Sequence, residues 1–101
     1  MEKRTYNGWT NYETWNVKLW IDNDEGLAED VRQICMDAAD EYTASKDLQA
    51  FIEEMNPIGG DAGMFADLLN AALSEVNWYE IAEAIRDDNK DEDEEEAEEK
   101  E

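Results

Sequence analysis

Apolar side chains recur at three- and four-residue intervals from Tyr12 to Ile85, and beyond Ile85 the one apolar residue is Ala97. That interval is the spacing of one face of an α-helix, so the pattern predicts an all-α chain. The architecture it implies is a compact bundle of four to five short helices with an acidic C-terminal tail or helix extension. The division falls between a helical domain at 1–86 and a polyacidic tail at 87–101. A unit of this size buries only about 60–65% of the surface that its unfolded chain exposes, so its core depends on large side chains. Four Trp, four Tyr and two Phe supply them.

Five helices follow from the pattern. The first opens at Thr10-Asn11-Tyr12-Glu13, with Thr10 as N-cap and Glu13 as its capping-box partner, and runs to about Asp22. Its apolar residues Tyr12, Trp15, Val17, Leu19, Trp20 and Ile21 cover more than half of the circumference, leaving Thr14, Lys18 and Asp22 on a polar side. Such a helix is either central to the fold or carries an aromatic face held for a partner. The second spans about Glu25 to Tyr42, with Leu27, Val31, Ile34, Cys35, Ala38 and Tyr42 in one stripe and Glu29, Asp30, Asp37, Asp40 and Glu41 opposite. A third follows Ser45 as N-cap, turns Leu48, Phe51, Ile52 and Met55 inward, and ends at Asn56-Pro57-Ile58-Gly59-Gly60. The fourth runs from Asp61 or Met64 to Val76 and buries Phe65, Leu68, Leu69, Ala72, Leu73 and Val76. Asn77-Trp78-Tyr79-Glu80 repeats the capping-box logic and starts the fifth, with Trp78, Ile81, Ala82 and Ile85 inward. Lys3 to Trp9 is the single candidate for a strand.

Charge narrows the partners. Twenty-nine acidic residues face eight basic ones, with no histidine, for a formal charge of −21. Such a surface repels nucleic acid and anionic membranes, and attracts basic grooves over a screened range of about 8–10 Å. Residues 87–101 hold eleven acids and two lysines, a net −9 that stays solvated either as a solubilising tail or as an arm that seeks a partner.

Catalysis is poorly provided for, and the expectation is a chain that is not an enzyme, with no catalytic residue, metal ligand set or cofactor. The commonest general base is missing. Cys35 has no basic neighbour in sequence to lower its pKa and lies on an apolar stripe, which marks a packed core thiol. Asp22-Asn23-Asp24-Glu25-Gly26 resembles a calcium loop, but glycine falls at position 5 instead of 6 and position 12 is Gln33. It reads as a connection between helices in which Gly26 relieves strain. Gly59-Gly60-Asp61-Ala62-Gly63 follows no strand and lacks lysine, so it reads as a flexible loop. One cysteine excludes an internal disulfide. Met1-Glu2-Lys3-Arg4 leads into polar Thr5-Tyr6-Asn7-Gly8 with no apolar run behind it, and no run approaches the roughly 18–20 residues that span a bilayer. The cytoplasm is the expected address.

The aromatic residues Tyr6, Trp9, Tyr12 and Trp15 crowd into a short stretch. Packing is the first reading; a binding surface, where Trp and Tyr act as hot spots, is the second. Tyr6-Asn7-Gly8-Trp9-Thr10-Asn11-Tyr12-Glu13-Thr14-Trp15-Asn16-Val17, continuing to Leu19-Trp20-Ile21-Asp22-Asn23, resembles the opening of a family of small phage- and plasmid-borne proteins of unknown function. Val76-Asn77-Trp78-Tyr79-Glu80-Ile81-Ala82-Glu83 resembles that family's closing helix, and the two stretches cover about a quarter of the chain. The polyacidic end is outside the resemblance. The family offers no catalytic residue to carry over; the resemblance implies a mobile-element origin and, with it, the host-cell cytoplasm.

That origin gives the charge a use, since phages and plasmids meet restriction enzymes and CRISPR-type nucleases. Duplex DNA carries one charge per about 1.7 Å, and carboxylates at i and i+3 or i+4 on a helix lie about 5–6 Å apart. Glu29, Asp30, Asp37, Asp40 and Glu41 meet that spacing, and Glu53, Glu54, Asp67, Glu75, Glu80, Glu83 and Asp87 extend the track if their helices align. The leading expectation is an inhibitor of a host DNA-binding or nuclease protein that occupies its basic groove as a DNA mimic. The alternative is a protein–protein adaptor working through Tyr6, Trp9, Tyr12 and Trp15, with the charge serving solubility. The oligomeric state stays open.

Overall fold

The computed structural model describes residues 6–58 and 60–100, with side chains described as far as residue 89. Five helices follow in order: α1 Tyr12–Asn23, α2 Glu25–Asp37, α3 Glu41–Glu54, α4 Met64–Ser74 and α5 Trp78–Lys100. The fold is an all-α bundle, as the periodicity predicts. Helix α5 packs most extensively on α3, α2 packs on both, and α1 lies at the side of α2 and the start of α5. The core joins Ile21 of α1, Val31 and Cys35 of α2, Ala44 and Leu48 of α3, Val76, and Trp78, Ile81, Ala82 and Ile85 of α5. Trp78, Ile81, Ala82 and Ile85 are thus all buried, as expected. Fully burying an aliphatic side chain of this size contributes about 1.5–3 kcal/mol, so this short list carries much of the stability.

Before α1 the chain turns tightly. Tyr6 and Trp9 exchange both backbone hydrogen bonds, at 3.0 and 2.7 Å, across Asn7 and Gly8, whose φ values are +48° and +89°. Two positive φ angles in succession are what a primed hairpin turn needs, and Asn-Gly is the pair that adopts them most cheaply. The expected strand is therefore a single bridge among the described residues; Lys3 to Thr5 lie outside them.

Several boundaries differ from the periodic reading, each for a local reason. Helix α1 is capped by Asn11, whose side chain accepts from the Thr14 N–H, so the cap sits one residue later than Thr10. The face that packs is Thr14, Val17 and Ile21; Thr14 is fully buried, while Tyr12, Leu19 and Trp20 are exposed. The expected polar side is partly the inner one. Helix α2 stops at Asp37 because Ala38 is extended, and Asp40 caps α3 by accepting from the Thr43 N–H. Asp40 and Glu41 therefore leave the α2 face, and Tyr42 becomes an exposed α3 residue. Ser45 is not a cap but a buried helical residue whose hydroxyl donates to the Tyr42 carbonyl at 2.7 Å. Gly26 falls inside α2, where Asp24 supplies the N-cap, so it relieves no strain. Helix α4 buries Ala66 and half-buries Leu69, Ala72 and Leu73, leaving Phe65 and Leu68 in solvent. Met55 is likewise exposed.

Helix α5 continues without a break across the expected boundary between 86 and 87, reaching Lys100. At about 1.5 Å per residue, a helix of this length is roughly 34 Å long.

Candidate functional site

Four basic side chains are described, and each is turned onto the chain itself. Lys18 pairs with Asp22 at 2.8 Å and sits 6.0 Å from the Trp9 ring centre. Arg32 pairs with Glu29 one turn back. Lys46 lies 5.6 Å from the Tyr42 ring centre. Arg86 reaches from α5 to the end of α2, donating to the carbonyls of Cys35 and Ala38 at 2.7 and 2.9 Å and approaching Glu41 at 3.7 Å. The Cys35 and Ala38 carbonyls are at a helix end, where a cation is favoured. Lys18 and Arg86 are largely covered, while Arg32 and Lys46 stay more exposed among a larger number of exposed acids.

The acidic residues proposed from sequence separate into groups. Glu29, Asp30 and Asp37 are exposed on α2, though Arg32 holds the Glu29 carboxyl below its usual range through a hydrogen bond and its charge. Asp40 is committed to its cap; the Thr43 amide is the main reason its carboxyl is held below the usual range. Glu41 is half-buried beside Arg86. Glu80 does not belong to any acidic face. It is only 6% exposed, and its Oε1 accepts from the Thr10 N–H at 3.1 Å. Asp67 and Glu75 are exposed at the two ends of α4.

Asp37 and Glu54 are brought together. With Asp47 they rim an open groove of about 530 Å³ between α2 and α3, floored by Ile34, Ala38, Ala50 and Phe51. Asp47 is a residue that the sequence reading missed, because its place on the rim depends on where α3 lies against α2. Glu83 and Asp87 stand over a second cleft of about 390 Å³ beside Gly8 and Trp9. Glu53 lines a third, of about 420 Å³, with Asn56, Gly60 and Asn70.

The aromatic group is real and lies at the surface. The Tyr6, Tyr12 and Trp15 rings stand 5.0–5.6 Å apart in edge-on and tilted contacts. Tyr6 and Tyr12 are exposed, Trp15 is half-buried, and Trp9 packs against the core. This single turn of chain is thus part core and part exposed platform.

The long motif around Tyr6 to Asn23 and the shorter one around Asn77 meet in space. The Asn77 N–H donates to the Thr14 hydroxyl at 2.8 Å, and the hydroxyl donates to Asn11 Oδ1 at 2.7 Å. Asn11 Nδ2 donates to the Glu75 carbonyl at 2.8 Å, and Asn77 Oδ1 caps α5 by accepting from the Glu80 N–H at 3.0 Å. Each motif caps its own helix and completes the other's cap. The chain belongs to a family of unknown function, DUF7249, which matches residues 2–100. The match runs through the acidic end, which the resemblance in sequence had left aside. No curated protein and no solved structure matches the chain.

Cys35 is fully buried, and burial is the chief cause that pushes its thiol up to about 11. Among the described residues no group of three or more His, Cys, Asp or Glu side chains converges as a metal site would require, and no helix is long and apolar enough to cross a membrane.

Proposed function

We propose that this chain binds a protein with a basic, DNA-binding groove and occupies that groove in place of a duplex, with a host defence nuclease as the class of target. The observation that carries the reading is the fate of the cations. Each described base contacts an acid, a ring or a carbonyl of its own chain, and against these four stand the exposed Asp30, Asp37, Asp47, Glu53, Glu54, Glu83 and Asp87. Asp37, Asp47 and Glu54 present their charge around an apolar floor, which favours an arginine or lysine whose stem lies on Phe51 while its head meets a carboxylate. The sequence adds eleven acids in 87–101 to that charge. No reaction is involved. In this reading the match is electrostatic, so affinity falls steeply between about 50 and 200 mM salt.

The test is affinity capture from cells that carry the chain, eluted on a salt gradient and repeated with duplex DNA as competitor. The reading expects a DNA-binding protein released by moderate salt, displaced by duplex, and lost when Asp37, Asp47 and Glu54 are changed to Asn, Asn and Gln. A partner that resists salt and ignores duplex would overturn it.

A second reading rests on the Tyr6–Tyr12–Trp15 platform, whose exposed rings suit a protein–protein anchor. There Tyr12→Ala abolishes capture and the acidic substitutions leave it intact.

A further inference from the structure

The groove between α2 and α3 has the pattern of one side of a helix-packing interface. On α3, Asp47, Ala50, Phe51 and Glu54 stand at i, i+3, i+4 and i+7, on one face of the helix. That face reads carboxylate, apolar, apolar, carboxylate, and its two acids lie about 10.5 Å apart along the axis. Across the groove, Ile34 near the end of α2 and Ala38 just past it widen the apolar floor, and Asp37 adds a third carboxylate to the rim. Ala38 and Phe51 pack against the core, so the floor is backed by packed side chains.

We propose that this groove takes one basic, amphipathic α-helix of the partner, laid along α3 with two apolar residues on the floor and an arginine or lysine at either end. The inference rests on the electrostatic reading above and adds the shape of what is recognised. Charge complementarity selects the occupant. Three of the seven side chains that line the groove are acids and none is basic. Lys46, beside Asp47 in sequence, lies 5.6 Å from the Tyr42 ring centre instead. A second copy of this chain, an anionic membrane or a nucleic acid would bring negative charge against that rim. A wholly apolar segment would leave the three carboxylates without a partner, and a wholly basic one would leave the floor wet. Floor and rim together select a segment that alternates as α3 does.

The spacing selects a helix. Basic residues at i and i+7 with apolar residues at i+3 and i+4 fall on one helical face, the pattern of a helix docked in a groove. An extended strand spans about 10.5 Å in roughly three residues, and its side chains alternate between opposite faces, so it cannot set both bases on the rim and two neighbouring apolar residues on the floor. An apolar centre within a charged rim is the plan of a specific protein contact, in which the rim orients and the centre holds. Two turns of helix cover far less than the roughly 1,200 Å² of a stable interface, so this contact alone is in the micromolar range.

The test is binding of a synthetic helix to the full chain. The probe is a rhodamine-labelled, alanine-rich peptide of about 18 residues, long enough to be helical, with Arg at i and i+7 and Leu at i+3 and i+4. Fluorescence anisotropy should show micromolar binding, at least tenfold tighter than that of a peptide with the same composition scrambled, or of one interrupted by proline. Ala50→Glu, at an exposed position on the floor, should weaken binding at least tenfold, and so should the isosteric pair Asp47→Asn with Glu54→Gln. Far-UV circular dichroism checks that both variants keep the fold. Asp30→Asn, exposed on α2 outside the groove, should leave binding unchanged.

No binding by the patterned peptide would overturn the proposal, and so would equal binding of the scrambled one, which reduces the groove to general acidic attraction. Equal binding of the proline-interrupted peptide would overturn it in favour of an extended segment. Displacement by spermidine at the peptide's own concentration would do so in favour of a free polyamine, and self-association abolished by Ala50→Glu in favour of a second copy. The capture experiment separates this inference from the function it rests on. A DNA-binding protein lost on substitution of the three acids but indifferent to Ala50→Glu would keep the function and overturn the helix. A patterned peptide bound as expected, with no DNA-binding protein captured, would keep the helix and overturn the class of target.

Discussion

The Asn77 backbone N–H donates to the Thr14 hydroxyl at 2.8 Å, joining the N-termini of α1 and α5 across 63 residues of sequence. In a capping box the residue three positions into the helix would reach back to its own N-cap. Here Thr14 of α1 serves the cap of α5, while Glu80 of α5 reaches the N–H of Thr10, the residue before the α1 cap Asn11, at 3.1 Å. The reciprocal arms are exchanged between helices. Thr14→Val keeps the shape but leaves the part-buried Asn77 N–H without its acceptor, a loss of about 1–3 kcal/mol. Thr14→Ser should retain most of the stability. Urea denaturation of both variants checks this, and a Val variant as stable as the parent would show that water replaces the hydroxyl.

This exchange explains what was legible in the sequence and what was not. Both capping signals were visible as residue types, Thr10 to Glu13 and Asn77 to Glu80; Asn77 caps α5 as read, but Glu80 does not return to it. Nothing local told that Thr14 would point inward, since aromatic residues surround α1 on most sides and blur its periodicity. The same ambiguity hid the α2–α3 junction. Tyr42 continues the apolar stripe of α2, yet Asp40 offers a stronger local bond to the Thr43 amide and starts a new helix. Cys35 was readable as a core thiol from its stripe, whereas the nearby Arg86 is contributed by a helix 51 residues away. The groove between Asp37 and Glu54 needed the helix packing itself, and so did the exposure of Phe65.

Cys35 gives a prediction in pH. Its folded pKa is raised, chiefly by burial, from 9.0 to about 11. A raised folded pKa favours the protonated form in the native state, so the associated stability is full below pH 9 and is lost as pH rises through about 11. Denaturation midpoints followed from pH 8 upward should fall less steeply in Cys35→Ala than in the parent. The thiol should also resist aromatic disulfide reagents in the native chain and react at once in urea. Rapid native labelling would mean that α2 opens locally.

Two glycines should respond in opposite directions. Gly26 lies in the first turn of α2, where an added Cβ would meet Asp24 Oδ1 at an ordinary 3.6 Å. Gly26→Ala should stabilise the chain by about 0.4–1 kcal/mol, mainly by restricting the unfolded state. Gly63, at the start of α4, has φ +146° and ψ 173°, a region that other residues essentially avoid. Gly63→Ala should cost about 1–3 kcal/mol despite open space around it. Thermal melts of the two variants would place them on either side of the parent.

Salt should stabilise the folded chain itself. With Lys18, Arg32, Lys46 and Arg86 all engaged internally, the exposed acids mainly repel one another, and compaction works against that repulsion. Raising ionic strength from about 10 mM to about 0.5 M shortens the screening length from about 30 Å to a few ångströms and should raise the melting temperature. Ending the chain after Asn89 removes nine acids and two lysines and leaves a charge of −14. It keeps the core residues up to Ile85 and the Arg86 contacts with α2, so the shortened chain should fold. Its melting temperature at low salt should exceed that of the full chain, and its gain on adding salt should be smaller. If instead salt lowers the melting temperature of the full chain, the internal ion pairs outweigh the surface repulsion, and the acidic faces are less exposed to a partner's field than their positions imply.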